Sequence, residues 1–145
     1  MASIRFQLSR KERDDECNGD HETLAKSQAG ELIFSEVVRR LMEVGVESYC
    51  CDLANGAETF YQIDDKTHME KMVLPLMPVA EEFSASDLVA AIRGAQADTI
   101  RYPEFMKRSA AAGVIAYWAF LTRRKVLYFG RKGELHIEEF PNAKS

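Results

Sequence analysis

The sequence predicts an α+β fold, and three observations indicate it. Stretches with apolar residues at helical spacing alternate with short β-prone runs that are bounded by turn residues. Two of the helical stretches end at Gly45 and Gly113, because glycine takes the left-handed conformation that closes a helix. Residues 34–49 (FSEVVRRLMEVGVESY) align without a gap with residues 102–117 (YPEFMKRSAAAGVIAY), at an offset of 68. We therefore expect two copies of one unit that contains a helix and several strands.

The alignment of the two units extends beyond these segments. Residues 34–72 against residues 102–140 give eight identities in 39 positions. The identical pairs are Glu36/Glu104, Arg40/Arg108, Gly45/Gly113, Val46/Val114, Tyr49/Tyr117, Leu53/Leu121, His68/His136 and Glu70/Glu138. The period is too long and the copy number too small for a solenoid. The pattern predicts an internal duplication within a single domain.

The first unit reads as a helix followed by three strands. Apolar residues at helical spacing predict a helix over residues 28–44. Strands follow at residues 46–53, 58–63 and 67–73, and Asn55-Gly56 is the turn signal between the first two. The unit is therefore a helix with a three-strand antiparallel meander.

A separate helix is predicted between the two units. Pro75 and Pro78 interrupt regular structure. Ser84 and Asp87 then have the spacing of a helix N-terminal cap, which predicts a helix over residues 85–97.

The second unit repeats the order of the first. A helix starts at Tyr102 and ends at Gly113, and strands follow at residues 114–121, 125–129 and 134–140. The total is about six strands and three helices, with the helices covering one face of the meanders. The pattern does not say whether the two meanders join into one sheet.

Composition indicates a globular protein. The chain has 145 residues, of which 46% are apolar and 29% charged, and no apolar run approaches the length of a membrane span. Residues 1–26 are charged and lack the apolar region of a signal peptide, so we expect a mobile leader before one domain over residues 27–145. The adjacent Cys50 and Cys51 fit a strand better than a disulfide framework or a zinc site. These features predict a cytoplasmic protein without a membrane span.

Positive charge is concentrated in the second half of the chain. The net charge is −4, but residues 99–145 alone carry nine Lys/Arg and four Asp/Glu. A basic cluster falls at two predicted turns and consists of Arg123, Arg124, Lys125, Arg131 and Lys132. With nearby aromatic residues that can stack on bases, namely Tyr117, Trp118, Tyr128 and Phe129, it is a candidate site for nucleic acid or another acidic partner. The sequence pI of about 5.4 disfavours nucleic acid.

A His-x-Glu pair occurs at equivalent positions of the two units, as His68/Glu70 and His136/Glu138. On a strand, residues two apart share a face. If the two pairs converge, two imidazoles and two carboxylates can bind a divalent metal or perform acid–base chemistry. A solvated strand face would show the same alternation. No glycine-rich phosphate loop, nucleophile elbow, HExxH or CxxC motif is present.

The second unit also resembles a known family. The resemblance is carried by Tyr102-Pro-Glu-Phe105, Ala112-Gly113-Val114, Tyr117, Arg124 to Tyr128, Gly130, Gly133 to Glu138 and Phe140-Pro141. This pattern is similar to the YdfO-like family of small bacterial prophage-associated proteins, some of which carry the label phage envelope protein. The resemblance covers residues 28–141 and implies a bacterial or prophage origin and an α+β fold. It implies no catalytic residues.

Three functional hypotheses follow. The first is a small cytoplasmic binding or interaction module of bacterial or prophage type, with a protein partner or a small ligand, and with a homodimer as one form. The second is a metal-dependent or acid–base enzyme that uses the paired His and Glu residues, for which a divalent metal is the only cofactor suggested. The third is a nucleic-acid-associated regulator that uses the basic turns. No catalytic signature supports an enzyme, so the first hypothesis is favoured.

Overall fold

The computed structural model describes residues 34–72 and 77–140. The elements in this part of the chain are α1 (Phe34–Glu43), β1 (Val46–Asp52), β2 (Ala57–Gln62), β3 (Thr67–Lys71), α2 (Ala85–Gln96), α3 (Tyr102–Ala111), β4 (Val114–Phe120), β5 (Lys125–Gly130) and β6 (Leu135–Glu139). The predicted α+β class is confirmed, with three helices and six strands among the described residues. The leader at 1–26 and the predicted helical residues 28–33 lie outside the described residues.

Local sequence signals explain where the helices begin and end. The Ser84 hydroxyl accepts a hydrogen bond from the Asp87 backbone N–H at 3.2 Å, which is the predicted cap of α2. Pro103 lies in the first turn of α3, where its missing N–H has no helical partner to lose. Gly45 and Gly113 follow α1 and α3 with φ angles of 89° and 91°.

All six strands form one antiparallel sheet in the order β3-β2-β1-β4-β5-β6. The two meanders join through β1 and β4, where Cys51 lies opposite Tyr117. The two meanders, whose relation the sequence pattern left open, therefore form one sheet. β3 and β6 form the two edges of the sheet.

The same offset of 68 relates the observed elements of the two units. α1, β1, β2 and β3 begin and end 68 residues before α3, β4, β5 and β6. Because β1 and β4 are antiparallel neighbours at the centre of the sheet, the two meanders are related by an approximate two-fold axis perpendicular to it. The correspondence is structural, and a common origin of the two units stays a prediction.

The described helices all pack against one face of the sheet, which we call the covered face. Its core is formed by apolar residues of the helices and by alternate strand residues, chiefly Val37, Leu41, Leu88, Ile92, Phe105, Met106, Tyr49, Cys51, Phe60, Tyr117, Val126 and Tyr128. The opposite side carries the intervening strand residues; no helix among residues 34–72 and 77–140 packs on it, and we call it the uncovered face. No helix among the described residues is long and apolar enough to cross a membrane.

A segment before α2 crosses the end of α3 closely. The backbone N–H groups of Ala80 and Ser84 donate to the carbonyl oxygens of Ala110 and Ala112 at 2.9 and 2.8 Å. At Gly113 a Cβ atom would lie 2.4 Å from the Glu82 carbonyl oxygen. The second unit therefore requires glycine here for space as well as for its φ angle.

Candidate functional site

The basic residues predicted from the sequence do not form one cluster. Arg123 and Arg124 are in the β4–β5 turn, whereas Arg131 and Lys132 are in the β5–β6 turn at the other end of the meander. Lys125 begins β5 and pairs with Glu139 across the strands.

Several of the basic side chains already bind other groups of the protein. The Arg131 guanidinium donates to the Val79 carbonyl oxygen at 3.2 Å, and Lys132 pairs with Glu82 at 3.1 Å. Arg124 lies over the Phe140 ring at 5.5 Å. These five basic residues therefore do not form one continuous surface.

The two His/Glu pairs lie on the covered face, but at opposite edges of the sheet. His68 and Glu70 are on β3, with 2.7 Å between the His68 Nε2 and Glu70 Oε1 atoms. His136 and Glu138 are on β6, with a corresponding distance of 3.1 Å. Four strands separate the pairs, and no group of three or more His, Cys, Asp or Glu among the described residues could hold a metal ion. The structure keeps apart the pairs whose convergence the metal and acid–base hypotheses required.

The environments of the two pairs differ. His68 is buried and stacks on Phe60 at 6.2 Å. Glu138 also binds Arg93 at 2.7 Å. Partial burial raises the pKa of Glu138, but hydrogen bonds from Arg93 and His136 outweigh it and hold that pKa below its usual value. Each pair is a local hydrogen-bonded contact at an edge strand.

A row of ionisable side chains links the two edges across the covered face. Successive cross-strand partners in this row are Glu70, Glu58, Cys51, Tyr117, Tyr128 and His136, one from each strand. Directly opposite residues have Cβ atoms about 5 Å apart, so neighbouring members of the row are close enough to interact. Of the four inner members, only Glu58 was missed by the sequence interpretation, which assigned Cys51 to a strand and considered Tyr117 and Tyr128 for base stacking. The signal for Glu58 was its alternation with Phe60, which places both side chains on the buried face.

Glu58 is the most unusual member of this row. It is 3% exposed, and its Oε1 atom accepts a hydrogen bond from the Tyr102 hydroxyl at 2.5 Å. Burial raises the pKa of Glu58 to about 7, although the bond from Tyr102 acts in the opposite direction. This carboxyl is therefore half protonated near neutral pH.

A thiol and two phenols also lie near Glu58 in the core. The Cys51 sulfur lies 3.9 Å from the Tyr102 hydroxyl and 3.9 Å from the Met72 sulfur. Burial raises the pKa of Cys51, Tyr102 and Tyr117 well above their ordinary values. A buried thiol and buried phenols that stay protonated are poor nucleophiles. The arrangement stores a titratable proton in the core and offers no activated nucleophile.

The uncovered face has a different chemistry. Its central row runs across all six strands as Met69, Thr59, Cys50, Trp118, Leu127 and Ile137 and contains no charge. One outer row contains Thr67, Tyr61, Ser48, Phe120, Lys125 and Glu139, and the other contains Lys71, Ala57, Asp52, Ala116, Phe129 and Leu135. Leu135 and Ile137 are 50% and 53% exposed. Apolar side chains are concentrated on the β4–β6 half.

Three aromatic rings stack on one another at the middle of this face. Trp118 stacks with Tyr61, at 5.2 Å and 23°, and with Phe120, at 5.6 Å and 10°. Part of the indole ring is therefore already in contact with the protein itself. Of the four aromatics that the sequence suggested for base stacking, Tyr117 and Tyr128 are in the core, whereas Trp118 and Phe129 are on the uncovered face.

A family model matches most of the chain. The family model described as Protein of unknown function (DUF1398) matches residues 21–139, which is 119 of the 145 residues. The search of curated proteins found no match.

Proposed function

The chain belongs to the DUF1398 family, and we propose that it is a protein-interaction module that binds its partner through the uncovered face of the sheet. The observation that carries the proposal is the apolar character of β4 on both of its sides. Tyr117 and Ala119 of β4 pack in the core, while Trp118 and Phe120 point to the other face. Strands that are apolar on both sides are typical of sheets with both faces covered.

The composition of the uncovered face supports a protein partner. Its centre is apolar and aromatic, and its charged residues lie in the outer rows. Stable protein interfaces have the same arrangement of a dry centre and a polar rim. Contiguous apolar patches on a monomer commonly mark such interaction sites.

A nucleic-acid partner is less well supported. Single-stranded nucleic acids bind proteins by stacking bases on free ring faces next to a basic groove. The Trp118 ring already stacks with Tyr61 and with Phe120, which reduces the ring surface left for a base. The basic residues lie at two opposite ends of the meander.

We further propose that the protein is cytoplasmic and of bacterial or prophage origin, and that residues 27–145 form a single domain. The free thiols of Cys50 and Cys51 fit a reducing compartment. The YdfO-like resemblance of the second unit supports the origin. Helices and strands from both units contribute to one core, which supports the single domain.

Affinity capture with paired variants tests the interaction function. The full chain is immobilised, and proteins retained from a bacterial lysate are identified by mass spectrometry. We expect the double variant Leu135→Ser/Ile137→Ser to lose the partner, because both side chains are exposed at the apolar part of the face. Met42→Ser is the matched control, since Met42 is 45% exposed on α1, away from this face. Equal capture by all three proteins would contradict the proposal.

A further inference from the structure

We infer that the partner on the uncovered face is a second copy of this chain, packed sheet against sheet about a two-fold axis that runs along the strands. The inference rests on the proposed interaction function and names its partner. Three properties of the face carry it: its area, the balance of its charges, and the position of two oppositely charged turns.

The area of the face is sufficient for a specific dimer. Six strands at a spacing of about 4.8 Å, each five to seven residues long, give a footprint of about 500 Å² per copy. Two copies bury about 1,000 Å², which is at the lower end of specific interfaces. Two sheets pack face to face with interdigitating side chains, so a second sheet covers the apolar centre completely.

The charges on the face do not oppose self-association. The three rows contain Asp52, Glu139, Lys71 and Lys125, which sum to zero, and all four are in the outer rows. A second copy therefore meets an uncharged centre without net repulsion. The rim offers no net electrostatic attraction to a partner with a strong net charge of either sign.

Two turns of opposite charge lie at the same end of the sheet. The β2–β3 turn contains Asp64, Asp65 and Lys66, and because Lys66 pairs with Asp64 at 3.4 Å, Asp65 carries the net negative charge of the turn. The β4–β5 turn contains Arg123 and Arg124. β2 and β4 both run antiparallel to β1, so both turns follow strands that point to the same end.

A two-fold axis along the strands places β3 of one sheet opposite β6 of the other. It leaves the corresponding strand ends of the two sheets at the same end of the dimer. The acidic turn of each copy then lies within one strand spacing, about 4.8 Å, of the position opposite the basic turn of the other, and two such contacts form in each dimer. Asp65 and Arg123 are exposed and are the residues to test. Like charges brought together at such a contact cost several kcal/mol, whereas opposite charges fix the register.

Sedimentation equilibrium of the full chain and of charge variants tests the inference. We expect the wild-type chain to dimerise, and Arg123→Glu and Asp65→Lys each to weaken dimerisation at least about tenfold, because each reversal places like charges at both contacts. An equimolar mixture of the two variants restores the dimer, since both contacts of the mixed dimer again join opposite charges. Lys107→Glu, at an exposed position of α3, is the control and leaves dimerisation unchanged.

Two further measurements keep the test decisive. Asp65 has a φ angle of 69°, so Asp65→Asn, which tolerates this conformation, is measured beside Asp65→Lys and weakens the dimer less. Thermal unfolding of each variant excludes a folding defect as the cause of dissociation.

Each other outcome overturns the inference in a recognisable way. A chain that stays monomeric, while Leu135→Ser/Ile137→Ser still abolishes capture of another protein, has a different protein partner, and the interaction function stands. A dimer that is weakened by both charge variants but not restored by mixing them contradicts the two-fold arrangement. A monomer that binds labelled single-stranded RNA through the uncovered face overturns both the inference and the proposed function.

Discussion

Glu58 shows how a single buried residue makes the stability of this fold depend on pH. Its carboxyl lies on the covered face, between Glu70 and Cys51 in the row of cross-strand partners. Its hydrogen bond from Tyr102 joins a strand of the first unit to the helix of the second. Because burial raises the pKa to about 7, the folded chain retains a proton that the unfolded chain releases near pH 4.5.

The free energy of unfolding therefore falls as the pH rises from about 4.5 to above 7. A pKa difference of this size corresponds to about 3 kcal/mol. Glu58→Gln keeps an acceptor for Tyr102 but cannot ionise, so we expect the variant to unfold at higher urea concentration than the wild type at pH 8. Near pH 4.5 the two proteins should be similar. Urea titrations at several pH values provide the measurement.

Glu81→Gln is the control for this prediction, because the Glu81 side chain is 80% exposed. We expect its stability to follow that of the wild type across the whole pH range. If the free energy of unfolding changes with pH in the same way for the wild type and for Glu58→Gln, burial does not raise the pKa of Glu58, and the prediction is wrong.

Gly45 and Gly113 allow the conformational and steric roles of glycine to be separated. Both have φ angles near 90°, but a Cβ atom would meet nothing within 4 Å at Gly45, whereas at Gly113 it would lie 2.4 Å from the Glu82 carbonyl oxygen. We expect Gly45→Ala to cost about 1 kcal/mol of unfolding free energy, and Gly113→Ala at least about twice as much. Chemical denaturation measures both. Equal losses would mean that the segment containing Glu82 moves away freely.

At the scale of elements, the two edge strands explain the recurring His-x-Glu motif without a metal. Edge strands expose unpaired backbone groups, and charged residues that point inwards hinder pairing with another chain. His68 and Glu70 on β3, and His136 and Glu138 on β6, point to the covered face at the two edges of the sheet. We therefore expect the motif to protect both edges.

Replacing the inward charges of β6 should promote aggregation through that edge. We expect His136→Thr/Glu138→Thr to increase light scattering and thioflavin T fluorescence during incubation at high concentration. Glu139→Thr introduces the same β-prone residue on the opposite side of β6 and is the matched control. If the double variant and the control aggregate at the same rate, the motif does not protect the edge.

At the scale of the whole molecule, much of the fold could be predicted from local patterns. Helical periodicity and the glycines gave α1 and α3, and the capping residues gave α2, because these signals depend on a few neighbouring residues. The pairing of β1 with β4 could not be predicted, since strand register across the sheet depends on long-range packing.

The candidate sites were harder to predict, for the same physical reason. His68 and His136 were correctly assigned to strands that share a face with their Glu partners, but the distance between the strands depended on the sheet order. The uncovered face was overlooked because the aromatic residues of β4, which has the sequence VIAYWAF, were considered only as core or as base-stacking residues near the basic turns. An uninterrupted apolar strand in an antiparallel sheet indicates that a second layer covers its other side.

The fluorescence of Trp118, the only tryptophan in the sequence, tests the central claim most directly, because the residue lies at the middle of the uncovered face. Acrylamide quenching of its emission is measured over a dilution series of the full chain and of Leu135→Ser/Ile137→Ser. If a second copy covers the face, quenching of the wild type is weak at high concentration and rises on dilution, while the variant is strongly quenched throughout. Quenching that is independent of concentration and identical in both proteins would contradict the claim.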